Sequence, residues 1–130
     1  MRAMKTTLEQ LAYWAGFFDG EGCIGLYCGK SGWNHKITLS QKRIEPLKDL
    51  ERLFGGRAHL RTDKAHQWDI CGSQAAAFLT AVLPFLRNKA RQARLYLVSR
   101  ALTGRRSAIR RKARLMIMDL IKKDKHEDSI

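Results

Sequence analysis

The sequence has few cysteines and few acidic residues, and it contains no long apolar run. Its three cysteines are an odd number without a CxxC pair, which argues against a disulfide framework and against a zinc site. The longest apolar run, Ala75–Leu86, includes Thr80 and Pro84 and is shorter than the roughly 18–20 residues that cross a bilayer. The N-terminus lacks the apolar stretch and cleavage site of a secretory signal. We therefore expect an intracellular protein with no membrane contact, in the cytoplasm or nucleoid of a bacterium (phage-encoded proteins included) or in an organelle.

Positive charge is the strongest feature that the sequence does contain. Lys and Arg number 25 against 12 Asp and Glu, which gives a net charge of +13 in 130 residues. Between Arg87 and Arg114 there are eleven basic residues and no acidic one. Because like charges on one helix repel each other, this run is more typical of a phosphate-binding surface than of a solvated helix face. The charge therefore indicates a polyanionic partner, with nucleic acid ahead of an anionic membrane.

Apolar periodicity and turn residues predict one α+β domain over residues 1–130, with an antiparallel sheet and the element order α-β-β-α-β-β-α-α-α. The first helix follows two overlapping capping boxes, Thr6 with Glu9 and Thr7 with Gln10. The predicted strands are Cys23–Cys28, Asn34–Gln41, Arg57–Thr62 and His66–Cys71, and the later helices are 44–54, 73–86 with Ser73 as the cap, 88–102 and a basic C-terminal helix at 106–123. The last helix is expected to bury a side formed by Ile109, Ala113, Met116, Ile117 and Leu120, and 125–130 is expected to be a frayed tail.

Alternation along the predicted strands separates a core face from a polar face. The core face consists of Ile24, Leu26, His35, Ile37, Leu39, Ala58, Leu60, Trp68 and Ile70. The polar face consists of Tyr27, Asn34, Lys36, Thr38, Ser40, Arg57, His59, Arg61, Gln67 and Asp69. Such donors and acceptors read base edges in a groove, although an antiparallel sheet often has one solvated side. The net charge favours nucleic-acid contact by this face. We expect further DNA contacts from basic residues outside the strands, which are Lys42, Arg43, Arg105, Arg106 and Arg110.

The segment Trp14–Gly22 places two acids, Asp19 and Glu21, at the C-terminal end of an apolar helix. The helix dipole carries partial negative charge there and disfavours each carboxylate by roughly 0.3–1 kcal/mol. A bound cation would make the carboxylates favourable at this position, and Mg²⁺ prefers carboxylate, carbonyl and water oxygens. The helix also contains small residues, Ala12 and Gly16 among them, which let another backbone approach. Because the rest of this helix is strongly apolar, we expect it to pack against a partner helix, the same helix of a second subunit.

The nonapeptide Trp14–Gly22, WAGFFDGEG, resembles the motif of the LAGLIDADG homing endonucleases, with Trp for the first Leu and Glu for the second Asp. Leu39–Lys42 resembles the end of the second strand in the single-motif members, and Leu83–Lys89 resembles their Pro-Phe-Leu block with a later lysine. The resemblance covers residues 8–100. It implies an αββαββα fold with added C-terminal helices, in which the antiparallel sheet forms a saddle over the DNA major groove.

The resemblance also implies a homodimer that pairs through the helix of residues 8–19 and acts as a metal-dependent endodeoxyribonuclease. Glu21 matches the essential metal-binding acid and Gly20 matches a carbonyl ligand, with Mg²⁺ as the cofactor and Mn²⁺ as a substitute. Gln41 and Lys89 match catalytic residues that organise water and stabilise charge near the scissile phosphates. No small-molecule cofactor is expected.

Other positions match the family less directly. The motif positions with a structural role are Asp19, Gly16 and Ala12. At the metal position, Glu in place of Asp lengthens the reach of the carboxylate. The basic residue that single-motif enzymes place shortly after the glutamine has no clear match, because Glu45 lies near that position, and Lys42 or Arg43 is the substitute.

The implied function is a site-specific homing endonuclease that breaks both strands of a pseudo-palindromic DNA site by hydrolysing one phosphodiester on each. Intron homing is one implied biological role, and an intein or a free-standing gene stays equally open. Two alternatives stay open. One is a DNA- or RNA-binding regulator or a splicing maturase on the same fold, with weak or lost cleavage. The other is a basic RNA- or ribosome-associated protein, which would leave the glycine-flanked acids unexplained.

Overall fold

The computed structural model describes residues 6–29, 32–101 and 108–128. Within these residues, five α-helices, four strands and one short 3-10 turn follow the predicted order. The helices are α1 (Leu8–Glu21), α2 (Glu45–Phe54), α3 (Gly72–Val82), α4 (Ala90–Ala101) and α5 (Ala108–Asp128), and the 3-10 turn is Leu83–Phe85. The strands are β1 (Gly22–Gly29), β2 (Gly32–Gln41), β3 (Arg57–Leu60) and β4 (His66–Cys71). The α+β prediction is confirmed. None of the described helices is long and apolar enough to cross a membrane.

A single antiparallel sheet has the strand order β1-β2-β4-β3. The two hairpins are local, and β2 joins them by pairing with β4. Gly22 pairs with Leu39 at the start of β1, and Thr38 pairs with Asp69 near the middle of the sheet. Because β1 follows α1 without a loop, the C-terminal end of α1 lies at the end of the sheet where β2 finishes.

Phe78 of α3 lies at the centre of the core between the sheet and the helices. Its ring makes edge contacts with Phe18 of α1, Phe54 of α2 and Trp68 of β4, at centroid distances of 5.5, 4.9 and 5.2 Å. The Trp68 indole N–H donates a 2.9 Å hydrogen bond to the carbonyl oxygen of Gly55, which satisfies the polar end of this buried ring. One aromatic cluster therefore holds α1, α2 and α3 on the same face of the sheet.

The predicted core face is confirmed except at Leu60. The buried members are Ile24, Leu26, His35, Ile37, Leu39, Ala58, Trp68 and Ile70. Leu60 is 63% exposed, because it ends β3, the edge strand of the sheet. The predicted cap of α3 is also wrong: Cys71 is the N-cap and the helix begins at Gly72, with a φ of 62°, so Ser73 lies inside the helix.

Helix α5 is longer than predicted and buries a different side. It extends to Asp128, into the segment expected to be a frayed tail. Its buried side is formed by Arg114, Ile117 and Ile121, and its exposed side by Leu115, Met116 and Leu120. The buried isoleucines contact Leu26 of β1, and the Lys125 ammonium donates to the carbonyl oxygen of Ile24. The predicted apolar side is therefore confirmed at Ile117 and wrong at Met116 and Leu120, because contact with β1 rather than the count of apolar residues decides which residues are buried.

Candidate active site and DNA-facing surface

Helix α1 ends so that its last residue, Glu21, is exposed where the helix joins β1. The helix begins with a capping box in which the Gln10 N–H donates to Thr7 Oγ1 at 3.1 Å and the Thr7 N–H donates to Gln10 Oε1 at 2.9 Å. It ends at Gly22, whose N–H donates to the Phe18 carbonyl oxygen. A Cβ at Gly22 would overlap the Phe18 ring, so this direct passage from helix to strand requires glycine.

Asp19 and Lys89 connect this end of α1 to the start of α4. The Asp19 carboxylate accepts hydrogen bonds from the backbone N–H groups of Arg87, at 2.7 Å, and of Lys89, at 3.0 Å. The Lys89 ammonium in turn donates to the Asp19 carbonyl oxygen at 2.6 Å. A lysine cation therefore lies against the negative end of the α1 dipole, two residues from Glu21.

Gln41 is the last residue of β2 and lies at the same end of the sheet. Because Gly22 pairs with Leu39, Gln41 is two positions beyond the residue opposite the start of β1. Its Cα partner on β4 is His66, whose Nδ1 lies 2.8 Å from the Lys42 carbonyl oxygen. The three residues with predicted catalytic roles, Glu21, Gln41 and Lys89, thus lie on elements that meet at this end of the sheet.

One chain offers few oxygen ligands for a hard cation at this junction. Asp19 uses its carboxylate on two backbone N–H groups, which leaves the exposed Glu21 carboxylate and the backbone carbonyl of Gly20. Among the residues that the structure describes, no group of three or more His, Cys, Asp or Glu side chains could hold a metal ion. Mg²⁺ commonly uses one or two carboxylates and keeps several waters. Glu21 and the Gly20 carbonyl oxygen therefore fit part of the oxygen ligand set of a divalent cation, with water at the remaining positions.

The side of α1 that faces away from the core carries apolar and small residues, with polar Glu9 and Gln10 in its first turn. Leu8 is 71% exposed and Tyr13 is 58% exposed. Ala12, Gly16 and Gly20 are spaced four residues apart and are also exposed, and a Cβ added at either glycine would meet no heavy atom within 4 Å. Contiguous exposed apolar surface of this kind marks interaction sites, and the absence of side chains at the glycines leaves room for a close helix approach.

The sheet face opposite the helices carries the residues predicted to bind DNA. Those that lie at alternate strand positions with partial or full exposure are Lys36, Thr38, Ser40, Arg57, His59, Gln67 and Asp69, and Arg61 directly follows β3. Lys42 and Arg43 are exposed after β2, and the Arg43 guanidinium lies 3.3 Å from Glu45 Oε1. A hydrogen bond from its own backbone N–H, together with this guanidinium, lowers the pKa of the Glu45 carboxyl.

The remaining predicted DNA contacts are only partly covered by the structure. Tyr27 and Asn34 are Cα partners in the β1–β2 ladder, and Arg110 lies in α5. The structure describes the backbone of these three residues but not their side chains. Arg105 and Arg106 lie outside the described residues altogether.

Sequence reasoning missed the contacts that join side chains on the polar face. His59 Nε2 lies 2.7 Å from Asp69 Oδ2, and the Gln67 amide nitrogen donates to Asp69 Oδ1 at 2.6 Å. Arg61 Nη1 donates to Ser40 Oγ at 2.9 Å. The spacing of Gln67 and Asp69 by two residues places both on one face, but the partners from other strands depend on register, which no local signal fixes.

Comparison with known proteins shows which proteins share this fold and this motif. The profile of the LAGLIDADG endonuclease family matches residues 14–96, and no curated protein sequence matches the chain significantly. The homing endonuclease I-CvuI, solved in complex with its target, has a TM-score of 0.76 and 22% identity, over 89% of this chain and 82% of that chain. The archaeal intron-encoded homing endonuclease I-Vdi141I, complexed with DNA, has a TM-score of 0.77 and 15% identity, over 89% and 84%. I-SmaMI, bound to its uncleaved DNA target with calcium ions, has a TM-score of 0.69 and 20% identity, over 92% of this chain but 46% of that chain.

At these identities the solved structures establish a shared fold. The family profile goes further, because it covers well over half of the chain and includes the α1 motif, the sheet and the segment that contains Lys89. The chain therefore belongs to the LAGLIDADG endonuclease family.

Proposed function

We propose that this protein is a homodimeric, site-specific homing endonuclease that breaks both strands of a pseudo-palindromic DNA site with a divalent cation. The observation that carries the proposal is the arrangement at the end of α1. There Glu21 is exposed, the Lys89 ammonium is fixed on the carbonyl oxygen of Asp19, two residues before it in the chain, and Gln41 ends the strand that pairs with β1. A carboxylate, a cation and an amide at one end of the sheet suit hydrolysis of a phosphodiester.

Each of these residues has a role that follows from its contacts. Glu21 and the Gly20 carbonyl would hold the divalent cation, which when bound stabilises charge that develops on the phosphate. Lys89 gives one of its three N–H donors to Asp19, and the others are available to a phosphate oxygen. Gln41 would orient a water molecule through its amide. Asp19 holds Lys89 in place and does not itself contact the phosphate.

The homodimer is proposed because one chain supplies only part of the site. The exposed face of α1 that includes Gly16 and Gly20 ends at Glu21, so pairing two such faces would bring two Glu21 carboxylates together. The alignment with I-SmaMI covers nearly all of this chain but less than half of that larger protein, as expected if two copies here replace one long chain there. A two-fold dimer reads the same sequence in both half-sites, which predicts a pseudo-palindromic target.

The polar sheet face is the proposed DNA-binding surface. It carries Lys36, Arg57 and Arg61 among neutral donors and acceptors, and an antiparallel sheet can read base edges in the major groove. The net charge of +13 supplies the attraction to phosphates, so binding should weaken steeply as salt is raised.

The decisive experiment is selection of cut sites from a randomised pseudo-palindromic duplex library in Mg²⁺. Glu21→Gln is the test variant, and Asp49→Asn, which removes one negative charge from α2, away from α1 and from the polar sheet face, is the control. The wild type and Asp49→Asn should enrich cut sites with two-fold symmetry. Glu21→Gln should cut at least about 100-fold more slowly while it retains the same DNA in Ca²⁺.

Other outcomes have definite meanings. Selective DNA retention by the wild type without cleavage would favour a regulator or maturase on the same fold. Loss of DNA retention and of folding in Glu21→Gln would assign Glu21 a structural role. Absence of selective retention by the wild type would leave a nonspecific or RNA-binding protein and would contradict the proposal.

A further inference from the structure

Asp69 is the one carboxylate in the polar sheet face, and it is surrounded by donors. On the same strand, the Gln67 amide nitrogen donates to Oδ1 at 2.6 Å. Across the sheet, His59 Nε2 lies 2.7 Å from Oδ2 and the Lys36 ammonium lies 3.8 Å from Oδ1. The ladder explains the convergence, because Asp69 pairs with Thr38 on β2 and with Arg57 on β3, so the centre of the face is shared by three strands.

A carboxylate in this position is unfavourable for DNA binding unless it serves the residues around it. It repels phosphates, and its side chain is recessed, with an exposed fraction of 23% against 31% for His59 and 37% for Lys36. Both of its oxygens already have donors on the protein. Asp69 is therefore built to orient its neighbours rather than to contact a base.

The contact fixes which end of the Gln67 amide faces the DNA. An ionised carboxylate only accepts hydrogen bonds, so the amide nitrogen must face Asp69 and the Oε1 acceptor must point elsewhere. The amide nitrogen keeps a second N–H next to Oε1. An acceptor and a donor side by side match the N6 donor and N7 acceptor of adenine in the major groove, whereas cytosine offers only a donor there.

We propose that Asp69 is a positioning residue for base recognition, and that the Gln67 amide held by it selects an adenine at one position of each half-site. This inference rests on the proposed function, because it requires that DNA lies on the polar sheet face. It adds a specificity role to a residue whose charge alone would predict weaker DNA binding.

The test is per-position base preference in the same duplex library, measured by sequencing the DNA retained in Ca²⁺. The variants are Asp69→Asn, which is nearly isosteric, Gln67→Ala and the double variant. Asp49→Asn is the matched control, because it removes the same charge from α2, which packs on the opposite side of the sheet from the polar face. The wild type and Asp49→Asn should prefer adenine at one position of each half-site by about tenfold or more.

Asp69→Asn and Gln67→Ala should lose that preference at the same position, and the double variant should lose no more than either single variant. Asp69→Asn should bind the library as tightly as the wild type or more tightly, because a negative charge is gone, whereas a misfolded protein would lose binding at every position. If Asp69→Asn does not fold, Gln67→Lys provides a second test of the same contact. Its ammonium pairs with Asp69 and has no acceptor, so the preference should change from adenine to guanine.

The proposal is overturned if Asp69→Asn keeps the wild-type adenine preference, or if Asp69→Asn and Gln67→Ala change different positions. It is also overturned if the wild type has no adenine preference at the position that Gln67→Ala alters. In each of these cases the wild type still selects specific sites, so the site-specific DNA binding of the proposed function is unaffected, and its cleavage is tested separately in Mg²⁺. A wild type that selects no sequence overturns the proposed function itself.

Discussion

Asp19 and Lys89 are bonded to each other in both directions, although 70 residues separate them in the chain. The carboxylate of the first accepts from the backbone N–H of the second at 3.0 Å, and the ammonium of the second donates to the carbonyl oxygen of the first at 2.6 Å. The pair therefore attaches the start of α4 to the end of α1. It also fixes the ammonium of Lys89, which has a predicted catalytic role, on a backbone carbonyl two residues before Glu21 in the chain.

Asp19→Asn should destabilise the protein by about 1–2 kcal/mol, because a neutral amide oxygen replaces a charged acceptor that serves two backbone N–H groups. Urea unfolding followed by circular dichroism measures the change. Asp63→Asn, which alters an exposed surface ion pair with Arg61, should change the stability by less than about 0.5 kcal/mol. Equal effects of the two substitutions would show that the Asp19 contacts contribute no special stability.

The element order and most of the sheet faces could be predicted because their signals are local. The capping box at Thr7, the glycines around Glu21 and the alternation along β2 and β4 each act within a few residues. Neither the contact between Asp19 and Lys89 nor the buried side of α5 has such a signal. Both depend on which segments meet in the folded chain, and the apolar residues of α5 do not reveal that Ile117 and Ile121 pack on the edge of β1.

Gly22→Ala should lower the free energy of unfolding by about 1–3 kcal/mol. The added methyl group would overlap the ring of Phe18, which is fully buried against Phe78 and has no space to move. Ser73→Ala is the control, because it changes an exposed position in the first turn of α3 that makes no capping hydrogen bond, and it should change the stability by less than about 0.5 kcal/mol. Thermal and urea unfolding test both, and a neutral Gly22→Ala would contradict the inferred overlap.

Gly16→Arg should abolish the dimer without harming the fold of one chain. Within a single chain a Cβ at this exposed position would meet no heavy atom within 4 Å, so the arginine should be accommodated without loss of the fold. In a pair of α1 helices the same side chain would enter the interface. Sedimentation equilibrium should give a dimer for the wild type and for Ala77→Arg, which adds the same charge at an exposed position of α3, and a monomer for Gly16→Arg. A dimeric Gly16→Arg would place the interface elsewhere.

His35 is a buried histidine that the structure holds in its neutral form. It is 3% exposed on β2, its Nε2 lies 3.0 Å from Ser99 Oγ, and its ring contacts the edge of Tyr96 at a centroid distance of 5.1 Å. Burial, with the nearby charges of Arg100 and Arg114, lowers the pKa of His35 from 6.5 to about 4. The ring connects the sheet to α4, so its protonation would place an unfavourable charge beneath the sheet.

The stability of the protein should consequently fall as the pH drops from about 6.5 to about 4. In that range the unfolded chain binds a proton at His35 and the folded chain does not, so protonation favours unfolding; below the folded pKa the loss levels off. The loss from this group is on the order of 3 kcal/mol. Urea unfolding at pH 7 and pH 4.5 measures this loss of stability. The difference in stability between the two pH values should be smaller for His35→Gln than for the wild type. His66→Gln, a change at a less deeply buried histidine, is the control and should keep the wild-type difference. An unchanged difference in His35→Gln would mean that other groups, the carboxylates above all, account for the acid sensitivity.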